Sequence, residues 1–255
     1  MIYAMSDIHG YYEVFEKRIR QLKNALMEND DRLILLGDYI DRGPDSYKVL
    51  ALAYLLQKQY GEDKVIVIRG NHDDWFLDFL EGGDDYWIAE DDNYNTSKTF
   101  LSEEQKVKLQ EITLKEEAIA YIRTCVKKNH GELIAWMKKM PYYYETPTQI
   151  FVHAGVDEDI PEDELKWCTL GTPEYILTGK FPPTTGKFFK DIIAGHIDVA
   201  SIANDENFEG IYFDKESHYY IDGCVERTGK LLCLVYDEQE KKYYELDKFG
   251  IRKKI

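Results

Sequence analysis

No apolar run in this chain approaches the roughly 20 residues that a membrane-spanning helix needs. The first residues, Met-Ile-Tyr-Ala-Met-Ser-Asp, lack the basic segment and apolar core of a secretory leader. Thiols are scarce as well. The four cysteines, Cys125, Cys168, Cys224 and Cys233, include no C-x-x-C pair, which leaves them as reduced, mainly structural thiols. A cytoplasmic protein with no membrane partner is the expectation. Positive charge is also in short supply: 32 Lys and Arg against 48 Asp and Glu give a net charge of −16. That balance argues against nucleic acid as a partner, because phosphate backbones attract clustered Lys and Arg. A small anionic substrate stays admissible, since a bound metal reverses the sign locally. Low-complexity tracts and internal repeats are absent, and the basic end from Lys248 to Lys254 is too short for a binding tail. What is present, 255 residues of which 44% are hydrophobic, suffices for one domain over residues 1–255 carrying an insertion.

Residues 2 to 5 read as a short strand ending at Ser6-Asp7-Ile8-His9-Gly10. Phe15, Ile19, Leu22 and Leu26 then recur at helical spacing. The aliphatic run Leu33–Leu36 predicts a strand buried on both faces, and it ends on Gly37-Asp38-Tyr39-Ile40-Asp41-Arg42-Gly43. Pro44, Asp45 and Ser46 open a second helix with Val49, Leu52, Ala53 and Leu56 as its apolar stripe. Val65–Ile68 is a third buried strand, closed by Arg69-Gly70-Asn71-His72-Asp73. Strands alternating with helices imply right-handed crossovers and a parallel sheet, with all three polar strand ends along one edge.

Residues 74 to 144 break this pattern and predict a helical insertion beside the sheet. It holds a short helix with Trp75, Phe76, Phe79 and Leu80, an acidic loop from Glu81 to Asp92 read as a solvated face, and three further helical pieces. Ser102 with Gln105, and Thr113 with Glu116, fit capping boxes. Tyr142, Tyr143 and Tyr144 read as packing before a strand, and His130 as an exposed turn residue. Gln149–Val152 resumes strand character and ends at His153-Ala154-Gly155; Ile192–Ala194 leads into Gly195-His196. Beyond it the chain reads as antiparallel hairpins, with His218 packed or hydrogen-bonded in one of them and Arg227-Thr228-Gly229 as a turn.

Five polar clusters thus stand at strand ends: Asp7 with His9, Asp38 with Asp41 and Arg42, Asn71 with His72, then His153, and His196. Four of the six histidines fall in them. Each alone has an ordinary reading as a helix cap or a satisfied turn residue; five such coincidences are improbable together. Imidazole and carboxylate donors without thiolates suit Mn, Fe or Zn. About six ligands with a carboxylate in the middle exceed what one tetrahedral ion needs and fit two divalent ions.

In this order, Asp7-x-His9, Gly37-Asp38-x-x-Asp41-Arg42-Gly43, Arg69-Gly70-Asn71-His72-Asp73, His153-Ala154-Gly155 and Gly195-His196 resemble the calcineurin-like metallophosphoesterases, in particular their phosphoprotein-phosphatase branch with its compact bacterial and phage-type members. The resemblance implies an α/β fold, a layered α/β/β/α sandwich with mixed sheets. It implies two divalent metal ions, Mn first with Fe or Zn as alternatives. Asp7, His9 and Asp38 would hold one; Asp38, Asn71, His153 and His196 would hold the other. A metal-bridging hydroxide would attack phosphorus in line, with His72 as general acid, Asp41 holding His72 and Arg42 binding the phosphoryl oxygens.

Two positions depart from the family pattern. Asp73 stands where Glu is common, one methylene shorter. Lys166-Trp167-Cys168-Thr169 stands where a second phosphate-binding arginine is often found. Substrates implied are phosphomonoesters, above all phosphoserine, phosphothreonine or phosphotyrosine in proteins. The alternative is a dinucleoside polyphosphate such as diadenosine tetraphosphate. Bacterial diadenosine tetraphosphatases often lack the second Asp of the Gly-Asp-x-x-Asp-Arg block, so Asp41 points to the phosphomonoesterase side. A third reading is a phosphoprotein-binding scaffold without catalysis.

Overall fold

In a computed structural model of the chain, the structure describes residues 1–28, 30–83, 85–160 and 168–255. Among the described residues there are eleven strands: β1 (Ile2–Met5), β2 (Arg32–Leu35), β3 (Val65–Val67), β4 (Tyr143–Glu145), β5 (Gln149–Val152), β6 (Asp191–Asp198), β7 (Tyr212–Phe213), β8 (His218–Asp222), β9 (Leu234–Asp237), β10 (Lys242–Leu246) and β11 (Arg252–Lys254). They form a six-stranded sheet ordered β11-β10-β9-β1-β2-β3 and a five-stranded sheet ordered β4-β5-β6-β8-β7. β1, β2 and β3 are parallel, as are β5, β6 and β8, while the flanking strands run antiparallel. Both sheets are therefore mixed, as the α/β expectation requires.

The period-two geometry of a strand explains why the aliphatic runs are buried on both faces. Tyr3, Met5, Leu33, Leu35, Val65 and Val67 point to one core, shared with Phe15, Ile19, Leu22 and Leu26 of helix Tyr12–Glu28 and with Val49, Ala53 and Leu56 of helix Ser46–Tyr60. Ile2, Ala4, Ile34, Leu36, Ile66 and Ile68 point to the other, where they meet Ile150, Val152, Ile192 and Ala194 of the second sheet. On that second sheet lies the short helix Val199–Ala203, against β6, β7 and β8. The result is the expected layering.

The insertion is helical, but it differs from expectation in several places. Helix Asn71–Glu81 starts at Asn71, so Asn71 and His72 occupy its first turn rather than a loop before it. Asp73 makes this early start possible: it is fully buried and accepts from the backbone N–H of Gly70 (3.0 Å) and Asp38 (2.9 Å). The acidic loop contains helix Tyr86–Glu90, and helix Asn95–Thr99 follows it. Asp91 fixes the second of these, accepting from the N–H groups of Thr96 and Ser97 at 2.8 and 2.9 Å. The Ser102–Gln105 capping box forms as expected. The Thr113–Glu116 box does not, because helix Lys115–Asn129 begins one residue too late for Thr113 to cap it, with Leu114 in the cap position. His130 is not exposed: Nε2 lies 2.7 Å from the Phe100 carbonyl and its ring rests on Tyr47. Apolar residues of the insertion, among them Phe76, Phe79, Ile122 and Met137, join the helix-side core and anchor it to the sheet.

Expectations from Tyr143 onward also change. Tyr143 and Tyr144 belong to β4 itself, paired with β5. The closing strands are not all hairpins: β8 lies parallel to β6, and β9 crosses back to pair with β1 in the other sheet. Residues 227–229 end a short helix, Val225–Thr228, and Arg252–Lys254 forms an edge strand. Lys166 and Trp167, and with them the question of the second arginine, lie outside the described residues.

Candidate metal centre

The loops that follow the strands are tied to one another before any side chain is considered. The His9 N–H donates to the Asp38 carbonyl (2.9 Å), Gly10 to Tyr39 (2.9 Å) and Gly43 to His9 (2.8 Å). In the second sheet Gly195 donates to His153 (2.8 Å). The His196 N–H bridges the two sheets by donating to Asp7 Oδ2 at 2.9 Å. These ties hold six non-glycine residues at left-handed φ: Asp7 (54°), His9 (46°), Asp38 (56°), Asp41 (73°), Arg42 (63°) and His196 (66°). Each such residue costs about 1–3 kcal/mol, which persists where the surroundings over-determine it, as at functional sites. His196 sits in an irregularity of β6, where the register against β8 shifts between Ala194 and Asp198. Two glycines permit the close approach: a Cβ at Gly70 would collide with Asp38 Oδ1, and one at Gly195 with Asp7 Oδ2 and Ser6 Oγ.

The other five expected ligands converge on Asp38. Its Oδ2 lies 3.5 Å from His9 Nε2 and 3.4 Å from His153 Nε2. His153 Nε2 is 2.9 Å from Asn71 Oδ1, His9 Nε2 is 3.8 Å from Asp7 Oδ1, and the His153 and His196 rings are 5.2 Å apart. Asp7, His9, Asp38, Asn71 and His153 are buried; His196 is partly so. Two groups of potential ligand atoms, His9–Asp38–His72 and Asp38–His153–His196, share Asp38. The first contains His72 where the sequence expectation has Asp7; His72 Nε2 lies 3.9 Å from Asp38 Oδ2.

Tautomers decide whether these residues fit metal ions. His9 Nδ1 is bonded to the Ile40 carbonyl (2.8 Å) and His153 Nδ1 to the Leu36 carbonyl (2.7 Å). A carbonyl only accepts, so each Nδ1 carries hydrogen and each neutral ring turns its Nε2 lone pair inward. There the lone pairs meet carboxylate and amide oxygens, which are also acceptors. His9 Nε2 is buried without a hydrogen-bond partner. Converging acceptors need a cation, and the donor set suits divalent ions bound by nitrogen and oxygen. Burial lowers the His9 pKa, favouring the neutral ligand form. Burial, then the neighbouring His153, push His196 down to about 4. For His153 burial acts the same way, but Asp38 and Asp7 outweigh it and push the pKa up to about 10. The negative field that draws a proton to this nitrogen equally draws a metal.

At the rim, His72 Nδ1 is 2.6 Å from Asp41 Oδ2. Burial opposes the charged ring, but Asp38 and Asp41 outweigh it, and the His72 pKa is raised. Sequence reasoning missed a third member of this group. Trp87 Nε1 donates to the same Asp41 oxygen at 2.9 Å, from a buried indole packed on Phe76 and Phe79. No sequence signal marks it, since Trp87 lies 46 residues from Asp41 inside the acidic stretch. Arg42 is exposed at the same rim.

A family model for calcineurin-like phosphoesterases matches residues 1–217. Over 123 residues the chain is 33% identical to the symmetrical bis(5'-nucleosyl)-tetraphosphatase of Buchnera aphidicola subsp. Acyrthosiphon pisum, a stretch covering 42% of this chain and 41% of that protein. Over 89 residues it is 38% identical to serine/threonine-protein phosphatase 2 of Escherichia coli K12, covering 34% of this chain and 37% of that one. The chain thus matches less than half the length of either relative. Among solved structures it is similar to the cold-active protein-tyrosine phosphatase of a psychrophilic Shewanella, with a TM-score of 0.58 at 16% identity, covering 99% of this chain and 79% of that one; at that identity the likeness concerns the fold. Matched over most of its length, and bringing its other motif residues around the Asp38 carboxylate, the chain belongs to the calcineurin-like phosphoesterase family.

Proposed function

We propose that this protein is a phosphomonoesterase dependent on two divalent metal ions, acting on phosphorylated serine, threonine or tyrosine in proteins. The observation that carries the reading is the 2.6 Å contact between His72 and Asp41 beside the buried ligand cluster. Asp7, His9 and Asp38 would hold one ion, and Asp38, Asn71, His153 and His196 the other. Bound there, two cations lower the pKa of water and neutralise phosphoryl charge. Mn is the first choice, with Fe or Zn next, given the mixed imidazole, carboxylate and amide donors.

The chain's own groups supply the rest. Arg42, exposed at the rim, offers a planar fork for the phosphoryl oxygens. With its Nδ1 hydrogen held by Asp41, His72 turns Nε2 toward Asp38, 3.9 Å away, where it would face the leaving group of a bound ester. As the ester P–O bond breaks, Nε2 gives its proton to the leaving oxygen, and Asp41 stabilises the charged ring before that transfer. The cytoplasmic reading is supported by four free thiols, three of them buried. Among the described residues no helix is long and apolar enough to cross a membrane.

The name of the Buchnera relative favours a second reading, hydrolysis of dinucleoside polyphosphates. A metal-reconstituted assay of phosphopeptides and diadenosine tetraphosphate side by side separates the two. His72→Asn should cut turnover of the preferred substrate by about 10²–10⁴-fold while leaving metal content intact. Loss of metal in that variant would instead make His72 a ligand.

A further inference from the structure

A cavity of about 390 Å³ opens against His72 and Arg42, and the insertion supplies its far wall through Trp75, Tyr86, Glu90 and Asp92. The rings form a row leading away from the acid: His72 to Trp75 at 4.9 Å, then Trp75 to Tyr86 at 5.4 Å. Trp75 and Tyr86 are 38% and 54% exposed, although both are large enough to bury in a core. Glu90 and Asp92 are exposed, and neither forms an ion pair among the described residues.

The position of this cavity follows from the proposed chemistry, on which the inference rests. His72 protonates the leaving oxygen, so whatever that oxygen belongs to must lie in the space His72 lines. Arg42 is the one Lys or Arg side chain among the residues that line the cavity. Past Arg42 the wall is aromatic and anionic. A nucleoside diphosphate leaving group would bring further phosphate charge against Glu90 and Asp92. A Lys or Arg side chain would instead meet ring faces, which attract cations, and carboxylates that lack a partner.

We propose that the cavity is a leaving-group subsite for a basic side chain flanking the phosphorylated residue, which makes basic phosphopeptides the substrate class of this protein.

The test compares kcat/KM of the metal-loaded full chain for two phosphoserine peptides that differ only in an Arg or a Glu beside the phosphoserine, with p-nitrophenyl phosphate and diadenosine tetraphosphate alongside. The Arg peptide should exceed the Glu peptide by about tenfold, the size expected of one or two exposed cation–aromatic and ionic contacts. In the double variant Glu90→Gln/Asp92→Asn that ratio should fall by at least about fivefold, through loss on the Arg peptide and gain on the Glu peptide, with p-nitrophenyl phosphate turnover unchanged. Both substitutions are on exposed positions, so folding is not at risk. An unchanged ratio in the variant overturns the inference, as does faster turnover of diadenosine tetraphosphate than of the Arg peptide. Failure to turn over any of the four substrates overturns the phosphomonoesterase reading itself, a different result from turnover without charge discrimination.

Discussion

His153, directly after β5, and His218, the first residue of β8, are both buried beside carboxylates at the same five-stranded sheet, yet their ring nitrogens face different partners. At His218, Nδ1 lies 2.9 Å from Asp214 Oδ2 and Nε2 lies 3.0 Å from Glu158 Oε2, and Lys180 adds a second cation to Glu158 at 2.8 Å. Both nitrogens donate, the ring carries charge, and the cluster is complete with protein groups alone. At His153 one nitrogen is committed to the Leu36 carbonyl, and the other is aimed at Asn71 and Asp38 together with the Nε2 of His9. The same residue types thus make an ion-pair network in one place and a set of converging acceptors in the other. What separates a metal site from a structural histidine is the partner of the second ring nitrogen.

Breaking the converging set should have the largest effect. Asp38→Asn removes the charge shared by both ligand groups, and metal affinity should fall by more than about 100-fold; full binuclear occupancy measured by elemental analysis would remove Asp38 from its central role. Trp87→Phe keeps the packing on Phe76 and Phe79 but deletes one donor to Asp41. Turnover of an alkyl phosphate should drop about tenfold with metal content unchanged, and p-nitrophenyl phosphate, a better leaving group, should lose less.

The His218 network gives the contrasting result. Burial opposes its charge, but Glu158 and Asp214 outweigh burial and raise the pKa above the ordinary 6.5. Its stabilisation is therefore full below pH 6.5 and is lost as pH rises through the raised value. His218→Gln should cost about 3 kcal/mol near pH 6 and less near pH 9, read as a pH-dependent gap in denaturant midpoint, without loss of metal. A gap that widened with pH would mean that the ring is neutral in the fold. Smallest of all, Ser102→Ala should remove the insertion's capping box for about 1 kcal/mol and leave turnover unchanged.

The ligand residues were legible because their chemistry is local in sequence. Buried aliphatic runs such as Leu33–Leu36 fix the strands, and polar residues directly after a parallel strand must lie at its carboxyl edge. His72 and Asn71 were recognised as site residues, but not as the first helical turn, because the buried Asp73 that fixes that turn is bonded to a loop 35 residues away. His130 was misplaced for a similar reason, since its contacts with Phe100 and Tyr47 come from other elements; at Thr113 the helix simply starts one residue later, with Leu114 in the cap position.

Sequence by itself determined which residues stand at the strand ends, the α/β class they belong to and the acidic balance of the chain. The tertiary structure alone decided that two sheets bring the other polar clusters around the Asp38 carboxylate, that Trp87 reaches across to Asp41, and that His218 is saturated while His9 Nε2 is left without a partner. The reason is directional. A ring nitrogen becomes a ligand only when its partner nitrogen is occupied, and the Leu36 carbonyl that occupies it at His153 comes from 117 residues away, across the interface between the sheets.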